Sequence, residues 1–573
     1  MNQLSRSPCA SFCERKALWL VFAAVFAIAL AFAAYAQHAW EDYYITYRVS
    51  KNLALGHGLV YTVGERVHAF TSPFNVLIPA ALSLLTGNQS DELVLWLFRV
   101  VSAALLGGAA VLLFESARKN SLGRLATVLL IGLFALDAKI VDFSTNGQEV
   151  AFMMFFLALA LHALTVSSQW TALELGLAGA GLMWTRPDGF VYLGAIALGF
   201  LLFDAGRPIG QSRLGLLKLF LSAGAITIVL YVPWILWAWS YFGTPVPHTI
   251  IAKGMWRATS ALVAQGLGHS APGSASHSSF LSALVGRLLR TSVDSTFLPA
   301  YALVFGGWHW TAVLYARCLA FVCVGYWCLP FARPQARAAS FAFMLGHIYL
   351  SYVTPCYFPW YVPSCGIFGL FVLAHIAQQV LDFARSLQVK HHTSSRCLRA
   401  GVRILTAAVL ASACLILLSA AWQLRIQQRE IEDGTRKQIG LWLRQQAASP
   451  ADTVFLEPLG YIGFFSQLKM LDTPGLCAPE VVAAERRLKT TNFGLIIPAL
   501  RPDWLVLRPK EADQVRTVAP HFLAEAYSEV KVFDATARVA AYRWLPGRGY
   551  LHVDQKFIIF KRNQTLQTQP DRQ

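Results

Sequence analysis

"ALWLVFAAVFAIALAFAAYAQHAWED", residues 17–42, is the stretch on which the fold turns. Its first twenty residues, 17–36, are apolar or small, which is the length an α-helix needs to cross the hydrocarbon of a bilayer. Two adjacent carboxylates, Glu41 and Asp42, stand just beyond its end. Runs of similar length recur as far as residue 423 and then stop. The whole chain has the same character: 573 residues, 56% hydrophobic, 14% charged, mean hydropathy +0.48. That is too apolar and too long for one soluble core, so the expected class is a polytopic α-helical membrane protein.

The basic residues set the orientation. The connections 1–16, 115–124, 204–218, 331–337 and 383–403 hold sixteen Lys and Arg between them, and loops enriched in this way stay cytoplasmic. Eleven spans follow, near 17–36, 91–114, 122–140, 148–165, 171–185, 189–203, 219–240, 310–330, 338–354, 361–382 and 404–423. An odd number places the N-terminus in the cytoplasm and the C-terminus outside. Topology also accounts for much of the +17 net charge, so the charge calls for no nucleic-acid partner. The lipid bilayer is the partner that the composition implies.

The two acids would then lie in the outer loop 37–90. Residues 41–55 have helical spacing suited to an interfacial helix, with Arg48 at lipid-headgroup level. Residues 72–86 are apolar but short and contain Pro73 and Pro79, which reads as an interfacial or re-entrant segment. The other outer segments mix charge with aromatics or proline: "DAKIVDFSTNGQE" (137–149), "TRPDG" (185–189), "YFGTPVPHTIIAKG" (241–254) and "PCYFPWYVP" (355–363). Together they can build a cavity with carboxylates from Glu41, Asp42, Glu149 and Asp188 and cations from Arg186, His248 and Lys253, with Tyr44 and Arg48 beside them. The aromatics of 355–363 read as interface-belt residues, and Glu149 as a helix-capping acid. The run 265–280 reads as a flexible outer loop able to order over substrate.

From about residue 425 the chain changes. "GTRKQIGLWLRQQAASP" reads as an amphipathic helix, and "TVFLEPLGYIGFFSQLKMLDTPGL" and "RPDWLVLRPKE" as short buried strands broken by turns. The expected organisation is a membrane domain, 1–424, and a small α/β domain outside the membrane, 425–573. Stabilisation is the first role expected of that second domain. The ten cysteines contain no CxxC, so neither a disulfide framework nor a zinc site is expected.

Five motifs in order carry a family resemblance: Glu41-Asp42 followed by "YYITYRVSKNLALGHGLVYTVGERVHAFTSP", "NGQEVAFMMFFLALAL" (146–161), "WTRPDGFVYL" (184–193), "YFGTPVPHTIIAKG" and the tail. This pattern resembles the GT-C superfamily of polyprenyl-phosphate-sugar-dependent glycosyltransferases, and within it the bacterial relatives of the mycobacterial terminal arabinofuranosyltransferase. The resemblance implies a multi-pass protein of the bacterial inner (plasma) membrane with a periplasmic C-terminal domain. It further implies a polyprenyl-phosphate sugar donor and an envelope glycan, glycolipid or protein as acceptor. An acid of the first outer loop would be the base. The usual pair is Asp-Asp, so Glu41 is a departure and Asp42 the better candidate.

The chemistry suits those residues. A sugar on a lipid phosphate already has a good leaving group, so the acceptor hydroxyl is the poor partner. A carboxylate can take its proton while cations hold the phosphate. Asp42 is the expected base, with Lys253, His248 and Arg186 as the phosphate clamp. One base attacking opposite the phosphate predicts inversion at the anomeric carbon, whereas retention needs a second carboxylate as nucleophile, a part open to Glu41. Metal use is open too, since a divalent cation can bridge Glu41, Asp42 and the phosphate. A transporter or flippase for a lipid-linked or envelope precursor is the alternative class, but it requires charged or broken helices near the midplane, and most acids here lie at span ends.

Overall fold

The computed structural model describes residues 8–166, 168–203, 205, 213–255, 286, 288, 293–354, 358–388 and 392–563. Apolar runs become helices as the periodicity dictates: α1 (Pro8–Ala36), α2 (Glu41–Ala54), α3 (Pro73–Leu85), α4 (Asp91–Lys119), α5 (Arg124–Leu136), α6 (Ala138–Thr145), α7 (Val150–Val166), α8 (Thr171–Thr185), α9 (Gly189–Leu202) and α10 (Arg213–Phe242). Next come α11 (Trp310–Gly325), α12 (Pro334–Ile348), α13 (Pro363–Gln388) and α14 (His392–Gln427). Among the described residues, six helices are long and apolar enough to cross a membrane, with α3, α5, α7 and α9 apolar but shorter. The chain is a multi-pass membrane protein. All eleven expected spans contain a helix. The run 122–140 is cut at Leu136, because the Asp137 carboxylate accepts from the backbone N–H of Lys139 (3.0 Å) and Ile140 (2.9 Å) and so starts α6. The expected loop 265–280 lies outside the described residues.

Helix α2 forms where the period predicts it, but not along a lipid interface. Its Tyr43, Ile45, Tyr47, Arg48 and Val49 are all buried. Arg48 donates to the carbonyls of Gly463 (2.8 Å) and Leu468 (3.0 Å) and lies over the Tyr61 ring. Tyr47 donates to Asp91 at 2.7 Å, and Ser50 to the carbonyl of Val76 at 2.8 Å. The tail domain therefore sits on α2 and takes up the arginine expected to meet headgroups. Two carbonyls and an aromatic face hold the terminal nitrogens of the guanidinium against the tail.

Helix α14 runs straight through the 424/425 boundary. It passes into a π-helical stretch, Gln428–Arg436, and then into α15 (Lys437–Gln446). Gln428 ties this wide turn to the acids' neighbourhood, accepting from the Ala39 N–H (3.0 Å) and the Tyr461 hydroxyl (3.1 Å).

The tail folds around a five-stranded mixed sheet with strands β1 (Thr453–Leu456), β2 (Lys469–Asp472), β3 (Trp504–Leu507), β4 (Tyr527–Asp534) and β5 (Lys556–Arg562) in the order β2-β1-β3-β5-β4. β1 pairs parallel with β2 and β3, whereas β5 runs antiparallel to β3 and β4 antiparallel to β5. The period-2 alternation of strands splits their side chains between two cores. Val454, Trp504, Val506 and Ile559 pack with Ile439, Leu443, Ile45 and Val49, so this face is shared with α2. Phe455, Leu505, Leu507 and Phe560 pack with Val481, Ile497 and Val515 on the far side. Placement of the sheet puts the carboxyl ends of all three parallel strands against the start of α2.

Candidate active site

Glu41 and Asp42 open the first turn of α2, where the helix dipole favours carboxylates. Both line a cavity of about 290 Å³ shared by the membrane helices and the tail. Glu457 follows β1 in its wall, Thr473 follows β2, Arg508 follows β3, and Asp554 precedes β5. Arg436 enters from the π-helical stretch and Lys253 from the helical segment 248–255. Ligands in open α/β sheets gather at the carboxyl ends of strands, where the order reverses. Here the reversal is at β1, with β2 on one side and β3 on the other.

The close approach depends on Gly460. Its N–H donates to the Glu41 carboxylate, and a Cβ at this position would overlap the Glu41 carbonyl. Only a residue without a side chain lets the turn after β1 touch the acids.

The two acids differ electrostatically. Burial pushes the Glu41 carboxyl up to about 8, with Arg436 opposing the rise and Asp42 and Glu457 adding to it. Burial also raises Asp42, to about 6, and Lys253 is the chief group holding it down. Glu41 is raised further than Asp42, so the proton of the pair favours Glu41. A base near 6 is matched to work near neutrality.

Aromatic rings form much of the remaining wall. Trp40, Tyr301 and Tyr550 stack on one another, the last two at 5.1 Å and 7° between planes. Phe358 stacks on Trp360 at 4.6 Å, and the Lys253 ammonium lies 4.7 Å from the Phe358 ring centre. Phe358 and Trp360 therefore face the cavity rather than forming a membrane belt. Flat apolar faces of this sort suit the C–H faces of a sugar.

Of the residues expected at the site, Glu41, Asp42 and Lys253 converge on the cavity and the others do not. Arg186 is held by two carboxylates, Glu149 at 3.0 Å and Asp188 at 2.9 Å, and faces the Tyr361 ring at 3.9 Å. Neutralised in this way, it is a poor phosphate ligand. Glu149 stands directly before α7, as the capping reading has it, and also holds Arg186, while Asp188 accepts from Tyr349 at 3.4 Å. His248 packs towards Gly475 and Glu480 of the tail. Tyr44 points into a nest of Tyr461, Phe464 and Phe465. Arg48 is the docking residue described above.

Arg436, Arg508, Glu457 and Asp554 were not anticipated. Arg436 pairs with Glu432 at 2.9 Å and with Asp554, while Arg508 pairs with Asp554, Glu457 and Glu511. A signal for Arg508 was present, because "DWLVLRP" puts an arginine directly after a buried strand, at the end where α/β sheets bind ligands. Among the described residues, no group of three His, Cys, Asp or Glu converges as metal ligands would.

This architecture is that of the GT-C glycosyltransferases, and the chain has their fold. It superposes on the oligosaccharyltransferase of Archaeoglobus fulgidus with a TM-score of 0.54 at 12% identity, covering 90% of this chain and 73% of that one. ArnT from Cupriavidus metallidurans, solved with undecaprenyl phosphate, matches at TM-score 0.50 and 12% identity, over 96% and 99% of the two chains. In sequence, the chain is 27% identical over 237 residues to the terminal β-(1→2)-arabinofuranosyltransferase of Corynebacterium glutamicum. That alignment takes in 37% of this chain and spans about a third, 32%, of the relative. Residues 422–551 match a domain of unknown function, DUF8728.

Proposed function

We propose that the protein is a glycosyltransferase of the bacterial inner membrane. It moves a sugar, with arabinofuranose the first candidate, from a polyprenyl-phosphate donor to a hydroxyl of an envelope glycan, glycolipid or protein. The observation that carries this reading is the joint cavity in which Asp42, Glu41 and Lys253 meet under an aromatic wall. Asp42 takes the acceptor proton as the new bond to the anomeric carbon forms. Lys253 receives the charge that builds on the lipid phosphate. Glu41, accepting from the Gly460 N–H, holds the turn of the tail in place. Both the fold and the arabinofuranosyltransferase relative favour transfer over transport.

A resident divalent cation fits these residues badly. Calcium and magnesium take six or more oxygen ligands, whereas among the described residues no group of three His, Cys, Asp or Glu converges on one point and Lys253 stands beside Asp42. The proposed step therefore runs without a metal. The anomer of the product tests the remaining stereochemical choice: inversion fits a lone base, and retention would move the nucleophile's role to Glu41 or Glu457.

Purified chain in nanodiscs, offered a panel of lipid-phosphate sugars with envelope glycan fractions, should consume one donor and label one acceptor class. Failure of every donor to turn over would overturn the proposal. Lys253→Ala should weaken donor binding by about 1.5–3 kcal/mol, the loss of a charge-assisted contact, as read by titration of a non-transferable donor. An unchanged affinity would remove Lys253 from the phosphate clamp.

A further inference from the structure

A second and larger hollow, of about 580 Å³, lies outside the acid cavity. It runs between the first turns of α11 and the stretch Ser412–Ser419 of α14, beneath the loop that carries Arg543, Trp544 and Arg548. Both helices belong to the candidate membrane spans. The hollow opens at the first turn of α11, next to the tail, and reaches down α14 as far as Ser412. Leu415 (65%) stands exposed along it, as a lipid-facing side chain does, and Trp544 is 91% exposed above it. Arg548 donates to the Arg543 carbonyl at 3.0 Å, which brings the two side chains to one rim. Neither guanidinium has a carboxylate partner among the described residues, in a tail whose other cavity-facing arginines are all paired.

We propose that this groove binds one anionic phospholipid of the adjoining leaflet, its phosphate between Arg543 and Arg548 and one acyl chain along α11 and α14. Two cations at the rim, apolar helix faces below and an indole at the interface complement such a lipid. Binding has a mechanical consequence. The loop above the groove continues through Tyr550 and Val553 to Asp554, which are part of the acid cavity. The same loop is pinned to the other wall by the Gly547 N–H, which donates to the Gly307 carbonyl at 2.9 Å. The lipid thus braces the segment that brings Asp554 to Arg436 and Arg508. It occupies a surface separate from the sugar-transfer cavity, and its binding does not depend on transfer.

The test uses full-length protein in phosphatidylcholine nanodiscs doped with phosphatidylglycerol, with retained lipids counted by native mass spectrometry. Wild type should keep one more phosphatidylglycerol than the double variant Arg543→Ala/Arg548→Ala, whose apparent affinity should be about five- to thirtyfold weaker. Arg543→Lys/Arg548→Lys should keep most of the binding, which separates lost charge from lost fold. Hydrogen-exchange protection of residues 550–554 should fall in nanodiscs of pure phosphatidylcholine. Equal retention in wild type and the alanine variant, protection indifferent to lipid, or preference for undecaprenyl phosphate over phosphatidylglycerol would each overturn the proposal.

Discussion

Asp42→Asn is expected to slow sugar transfer by about two to four orders of magnitude, the usual share of general-base catalysis. The amide keeps the size of the side chain and its hydrogen-bonding capacity, but it cannot accept a proton at neutral pH. Donor affinity should change little, since Lys253 is left intact. The pH profile gives an independent check. With Asp42 raised to about 6, kcat/KM of the wild type should climb as pH rises through that value, because the base is protonated below it and ionised above it. The variant should lose this limb. Glu41→Gln should cost less, since Glu41, raised to about 8, is already neutral where Asp42 works. A variant Asp42→Asn that transfers at the wild-type rate with the same pH profile would remove Asp42 from the mechanism.

Arg436→Met should destabilise the docked tail by about 3–5 kcal/mol, the cost of leaving buried carboxylates without their cation. Its partners Glu432 and Asp554 are 1% and 3% exposed in their side chains, and Arg436 itself 6%. The loss should appear as earlier urea unfolding of the tail and faster proteolysis after residue 446. Asp554→Asn added to Arg436→Met should recover part of it, because one uncompensated charge is then gone, although Arg508 also loses a partner. Activity should fall as well, since Arg436 lies in the cavity wall with Glu41. An unchanged unfolding midpoint would mean that the tail is held by its apolar contacts with α2 alone.

Much of this molecule is legible along the chain because the signals are local. A twenty-residue apolar run has to become a helix in a bilayer, whose hydrocarbon leaves its backbone no other partner. Helical spacing across 41–54 and short apolar runs at 453–456, 469–472 and 504–507 likewise announce α2, β1, β2 and β3. Proximity to a span end is also a local fact, so Glu41 and Asp42 were identifiable as a pair just beyond the first span. What the chain order could not convey is which charges meet. Arg186, His248 and Lys253 look alike as basic residues at span ends. Only packing shows Arg186 neutralised by Glu149 and Asp188, His248 turned to the tail, and Lys253 left beside Asp42.

The sequence by itself determined a multi-pass helical protein with an acidic pair after its first span and a small α/β domain at its end, since each rests on periodicity or hydropathy within a few dozen residues. The tertiary structure alone decided that the sheet completes the site. Glu41 meets Gly460, and Arg48 meets Gly463 and Leu468, across separations of more than four hundred residues. No local period encodes such a contact. It arises because the apolar face shared by Ile45, Val49, Val454 and Val506 must be buried, and burying it turns the carboxyl ends of β1, β2 and β3 onto the acids.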